Sequence, residues 1–286
     1  MKPTKQFKAI FLILAFAAMS AVAVPGYLYA GVGVSPENIE MVVDGGSETR
    51  GEYTVINDTA APAHVKVDLE DWYKSRLGII SIPIEDWLKV EPMEFDLGPK
   101  ESRTVEYIIT PPRGQEGELA AMVFFGTPST DGNFSITSRF GVSVYVAIKD
   151  TVALACNIKR AEVSRDMRDP DKGVKVSDRN IVFSLTVENT GNVHVRPIGV
   201  ISITGEDGTV YSVKIERGFP VYQGKSLNYG IPWNKTDVKP GKYEANITLD
   251  YGSLYKTDKK IDKKISFVVN KDGSVSFTEQ ALEAAV

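Results

Sequence analysis

The chain reads as all-β: two tandem immunoglobulin-like antiparallel sandwiches behind an N-terminal signal peptide. Three observations predict this. Apolar and polar residues alternate with period 2 over many short stretches, turn signals punctuate those stretches, and helical periodicity is nearly absent after residue 30. Such alternation puts one face of each strand on a core and the other in water.

The first element is residues 1–30. Lys2, Lys5 and Lys8 precede an uncharged run from Ala9 to Val24, followed by Pro25-Gly26-Tyr27-Leu28-Tyr29-Ala30. A basic start, an apolar stretch and small residues at a cut are the marks of a secretory signal. Ala21-Val22-Ala23 and the bond after Ala30 compete as cleavage points; the second falls just before the first strand-like pattern at Val32. An uncleaved anchor helix is the alternative, but the 16 residues from Ala9 to Val24, before Pro25-Gly26, are fewer than the ~20 that span a bilayer. Cleavage removes three lysines and leaves 30 basic against 37 acidic side chains, a net charge of -7. That acidity, spread along the chain, disfavours a nucleic-acid partner.

The second element, 31–149, is read as one sandwich. Ala63, Val65, Val67 and Leu69 alternate with His64, Lys66, Asp68 and Glu70, and further strands are expected at Ile39–Val43, Gly51–Ile56, Thr104–Thr110, Glu118–Phe125 and Gly141–Ile148. Asp44-Gly45-Gly46, Pro111-Pro112-Arg113-Gly114 and Asp131-Gly132 supply turns. An insert from Asp71-Trp72 to Asp86-Trp87-Leu88 lengthens the path between its middle strands. The third element, 150–271, is read as a second sandwich. Ile181, Phe183, Leu185 and Val187 alternate, as do Tyr243, Ala245, Ile247, Leu249 and Tyr251, with strands also at Val200–Thr204, Val210–Ile215 and Lys264–Val269. Residues 272–286 form a tail, with a short helix expected from Thr278. A faint repeat links the halves: Tyr53-Thr54-Val55-Ile56-Asn57 before His64, and Leu185-Thr186-Val187-Glu188-Asn189 before His194.

Residue chemistry argues against an enzyme. Only His64 and His194 could act as an imidazole base; both are read in the outward phase of strands beside turns, and neither adjoins a serine elbow. Two histidines and the single Cys156 give no zinc spacing, and no cofactor is expected. Cys156, within Val152-Ala153-Leu154-Ala155-Cys156, reads as a small buried hydrophobe. Asp166, Asp169 and Asp171 precede Gly173, but the twelfth position from Asp169 is Asn180 where a calcium loop needs glutamate, so an acidic hairpin loop is expected. Trp72, Tyr73, Trp87 and Trp233 could stack on sugars or plug sandwich ends. The lysine-rich stretch from Lys256 to Lys264 reads as a solvated loop.

The first sandwich resembles the PapD-like fold of periplasmic pilus-assembly chaperones. Val34-Ser35-Pro36-Glu37-Asn38 leading to Val42-Val43-Asp44-Gly45 is similar to the family's opening strand and turn. Arg139-Phe140-Gly141-Val142-Ser143-Val144-Tyr145-Val146 is similar to its long closing strand. The second unit, with Glu188-Asn189-Thr190-Gly191-Asn192 and Lys239-Pro240-Gly241-Lys242-Tyr243, is similar to bacterial Ig-like extracellular modules. The resemblance implies a periplasmic or extracellular protein that binds envelope or surface subunits. The family grips a subunit's C-terminal carboxylate with two cations, yet this chain has Asn38 and Val142 where they are expected, with Arg139 three positions earlier. A strand edge needs no such anchor, because main-chain pairing supplies the contact. The candidate partner contacts are therefore Arg139, Val142, Val144 and Val146, where the valines serve either an exposed edge or their own core. Trp72 and Trp87 are the contacts for an alternative role as a carbohydrate- or surface-binding module.

Overall fold

The computed structural model describes residues 31–79, 81–131, 134–165, 179–235 and 237–277. The signal region, the acidic loop at 166–171 and the expected helix from Thr278 lie outside the described residues. No helix among the described residues is long and apolar enough to cross a membrane.

Nine strands build the first sandwich: β1 (Val32–Ser35), β2 (Asn38–Val43), β3 (Thr49–Asn57), β4 (Ala63–Asp71), β5 (Leu88–Glu91), β6 (Glu94–Leu97), β7 (Ser102–Ile109), β8 (Glu118–Asp131) and β9 (Phe134–Ile148). One sheet runs β1-β3-β7-β5 and the facing sheet runs β2-β9-β8-β4-β6. The expected alternation is plain in β3, where Tyr53 and Val55 are fully buried between exposed neighbours. Tyr53, Val55, Val65, Trp87, Phe125 and Val142 belong to one continuous core. Burying each such large side chain contributes on the order of 1.5–3 kcal/mol. One pairing departs from the antiparallel expectation: β2 lies parallel to β9, with Asn38 opposite Ser143 and Val43 opposite Ile148.

The second sandwich comprises β10 (Cys156–Arg165), β11 (Ile181–Asn189), β12 (Ile198–Gly205), β13 (Val210–Ile215), β14 (Ser226–Trp233), β15 (Gly241–Asp250), β16 (Lys260–Val269) and β17 (Val275–Phe277). Its sheets run β10-β11-β14 and β13-β12-β15-β16-β17. The two cores share no residue: the first spans Val32 to Ile148 and the second Cys156 to Val269. β17 pairs with β16 and so carries the second sheet to Phe277, six residues past the expected limit. The lysine-rich stretch is not a loop throughout. From Lys260 it is strand β16, and its outward side chains pair across the sheet, as Lys264 does with Glu244 at 2.7 Å.

Cys156 sits in the second core, and burial pushes its thiol up to about 11. At pH 8 only about one molecule in a thousand then carries the thiolate. Thiol-reactive dye should label the native protein far more slowly than the unfolded chain. Labelling at equal rates in both states would mean that β10 opens readily.

Candidate functional site

Two places combine exposed main chain or concentrated charge: the edge of β9 and the junction between the sandwiches. β9 has fifteen residues, and all but Ile148 pair with β8, from Glu118 opposite Ala147 to Asp131 opposite Phe134. On its other side β2 covers only Ser143 to Ile148. From Phe134 to Val142 no strand among the described residues occupies that edge. This segment of β9 therefore has one row of backbone groups with no strand partner among the described residues.

This geometry relocates the expected contact. Val142, Val144 and Val146 are fully buried in the first core, and Val144 and Val146 lie where β9 is paired on both sides. Val144 and Val146 thus serve the core on a segment with a strand on each side, while Val142, equally buried, is the last residue of the segment that β2 leaves open. Arg139 lies in the free segment, on the outward phase. Its guanidinium stacks 3.9 Å from the Phe124 ring centre and lies 3.7 Å from Asp68. Asn38 is exposed at the start of β2.

The insert's tryptophans are engaged too. Trp87 is buried in the first core, where its large apolar surface is removed from water. Trp72 donates its indole N–H to the Tyr222 hydroxyl at 2.8 Å, and Arg76 covers its ring at 5.4 Å. Tyr73 starts a single π turn, Tyr73–Leu77, and packs with Ala120 and Tyr145 in a small third cluster between the sandwiches.

The junction itself is polar and buried. Val193, His194 and Val195 are consecutive buried residues, so this stretch does not alternate. Val195 faces the second core, whereas His194 projects into the junction against the outer face of β8 and β9. His194 is thus buried, against the expectation of a solvated strand residue. Its ring lies 4.2 Å from that of Tyr145. Nδ1 is 2.7 Å from Glu118 Oε2, and Nε2, which makes no hydrogen bond, faces Glu40 Oε1 at 3.6 Å.

Glu118 also accepts from the Tyr73 hydroxyl and, at 3.1 Å, from the His194 backbone N–H. The Tyr255 hydroxyl lies 3.2 Å from Glu118 Oε2 and 3.1 Å from the His194 carbonyl, so its one proton serves either. Arg196 Nε donates to Glu40 at 2.8 Å while its Nη1 donates to the Gly218 carbonyl at 3.1 Å. Burial alone would raise the Glu40 carboxyl, but His194 and Arg196 outweigh it and hold it at about 2. For His194 burial works downward, and Glu118 and Glu40 more than compensate, raising the imidazole above its ordinary value. His64, by contrast, is exposed between Asp96 and Glu94, each at 2.7 Å.

A cavity of about 550 Å³ opens beside this cluster, lined by Met41, Val42, Lys149 and Lys256 as well as the buried groups. The linker is pinned nearby. Asn192 Oδ1 accepts from the Ala153 N–H at 2.7 Å and its Nδ2 donates to the Thr151 carbonyl at 2.8 Å. Gly117 (φ +71°) meets this loop so closely that a Cβ would stand 2.8 Å from the Asn192 carbonyl. No group of metal-binding side chains occurs among the described residues.

No family model matches the chain, and no curated protein matches it. Solved structures that resemble it include a chain from a chaperone–tip adhesin complex of CFA/I fimbriae biogenesis (14% identity, 82% of this chain and 98% of that chain, TM-score 0.43). The E. coli chaperone DraB (16%, 82% and 97%, 0.39) is another, and so is a chain from the Salmonella enterica SafA pilin–SafB chaperone complex (12%, 83% and 96%, 0.39).

Proposed function

We propose that the chain is a non-enzymatic, extracytoplasmic protein-binding protein, chaperone-like in the assembly of pili or other surface structures. It would accept a strand of an envelope or surface subunit along β9. The observation that carries this reading is the edge from Phe134 to Val142, left open ahead of the start of β2. An unpaired strand edge is a template for another chain, because its N–H and C=O groups still need partners. A partner strand laid there would extend the β2-β9-β8-β4-β6 sheet, with main-chain bonds giving affinity and alternate side chains giving selectivity. Phe140 and Val142 point along the inward face of this segment, which suits an apolar residue on the incoming strand.

Photo-crosslinking residues placed at Thr137 and Ser138, with Lys214 on β13 as the control position, test the reading in an envelope fraction. Adducts with one surface subunit at the β9 positions but not at Lys214, together with loss of that subunit when the protein is deleted, are expected. Adducts that form equally at Lys214, or unchanged subunit levels after deletion, would refute it.

A further inference from the structure

We propose that the cluster of Glu40, Glu118, His194 and Arg196 is a proton-dependent lock between the two sandwiches, closed while the His194 imidazole is protonated and loosened when it is neutral. The inference stands whether or not a partner strand uses β9.

The argument is one of charge count and geometry. β2 contributes Glu40 and β8 contributes Glu118; the second sandwich contributes His194 and Arg196. Both ring nitrogens of His194 face carboxylate oxygens, Nδ1 at hydrogen-bond distance and Nε2 at 3.6 Å, and only the imidazolium presents an N–H to each. With that proton present, two carboxylates meet two cations. Without it, one nitrogen presents a lone pair to a carboxylate and the buried cluster carries a net negative charge. An uncompensated charge in a desolvated site is costly, and separating the sandwiches to admit water relieves it.

The other groups around the ring do not supply a substitute proton at neutral pH. Tyr145 stacks on the ring from β9, Tyr73 and Tyr255 approach Glu118 from the π turn and from the turn after β15, and burial pushes all three phenols up. Lys149 lines the cavity but is drawn to Asp44 at 3.3 Å, and Lys256 stands on the cavity wall. The His194 and Glu118 side chains are each only 1% exposed, so solvent does not screen the pair in the closed state.

The sign follows from the raised imidazole. The locked state is fully favoured below the ordinary histidine value of about 6.5, and its advantage is lost as pH rises through the locked value. Between those limits the opening equilibrium should rise about tenfold per pH unit and then level off.

His64 and His194 are the only histidines, so a His64→Gln protein leaves one imidazole to follow by NMR. The His194 resonance is expected to titrate above pH 6.5. Protection factors of the Glu118, His194 and Arg196 amides should fall over the same range, while those in β11 and β15 stay level. Glu40→Gln should shift the titration to lower pH, since it removes attraction for the proton and leaves Glu118 in place. Junction protection that is flat across the titration of His194 would overturn the lock. So would a midpoint that Glu40→Gln leaves unmoved, or an imidazole that titrates at or below 6.5.

Discussion

Glu118→Ala is expected to destabilise the protein by about 3–5 kcal/mol, the usual cost of removing one partner from a buried ion pair. The carboxylate gathers the Tyr73 hydroxyl, the His194 N–H and Nδ1, and a share of the Tyr255 hydroxyl. Truncation leaves these donors facing an empty space and leaves the imidazolium with only Glu40, at 3.6 Å. Denaturant unfolding at pH 6, where the histidine is charged in both the folded and the unfolded chain, should show the full loss. Combining Glu118→Leu with His194→Phe should recover much of it, because an apolar pair carries no desolvation cost. If Glu118→Ala unfolds at the same denaturant concentration as the parent, the junction contributes no stability and the two cores stand alone.

The junction also decides what the β9 edge can do. The outer face of β8 and β9 is covered at its cleft end, where Ala120 and Tyr145 meet Tyr73 and Tyr222 and the two hydroxyls of Tyr145 and Tyr222 lie 2.8 Å apart. Only the far half of the hairpin stays open. A partner strand reaching along β9 from Phe134 would run towards β2 and stop at Ser143, where β2 takes over the pairing. The length of free edge is therefore set by where β2 begins.

The strands were legible because a sandwich strand writes its two faces into the sequence as alternation, as in Ala63–Asp71 and Gly241–Asp250. The closing strand was legible as a strand but not as an edge. Alternating valines mark an inward face without saying which neighbours pair with the backbone, so Val142, Val144 and Val146 were compatible with either role. The unbroken burial from Val144 to Ile148 was a usable signal, since a run apolar on both phases is covered on both sides. His194 was missed for a related reason. Period-2 phase assigns a residue to solvent or core, whereas His194 points from one sandwich into another, a third environment with no periodic signature. The clue was local: His194 lies between Val193 and Val195 with Arg196 next to it, and such a chain needs acidic partners that only the fold brings from Glu40 and Glu118.

Asn57→Ala and Asn189→Ala are each expected to cost roughly 1.5–4.5 kcal/mol, from the loss of three side-chain hydrogen bonds at about 0.5–1.5 kcal/mol each. The faint repeat in the sequence proves to be a repeated structural device. Each asparagine is the last residue of its strand, β3 or β11, and each is fully buried. Asn57 Nδ2 donates to the Ala61 carbonyl at 2.8 Å and the Gly98 carbonyl at 3.0 Å, and its Oδ1 accepts from the Thr59 N–H at 3.0 Å. Asn189 Nδ2 donates to the Val193 and Val221 carbonyls at 2.7 and 2.8 Å, and its Oδ1 accepts from the Gly191 N–H at 2.8 Å. In each case one side chain closes the turn that follows and ties it to a distant loop. Aspartate has the same shape but cannot donate, and it would set a negative charge against two carbonyl oxygens. Asn→Asp should therefore be worse than Asn→Ala at both positions, the reverse of what an exposed turn asparagine would show. Denaturant midpoints of the four single variants decide the matter; alanine variants as stable as the parent would mean that water replaces these bonds at no cost.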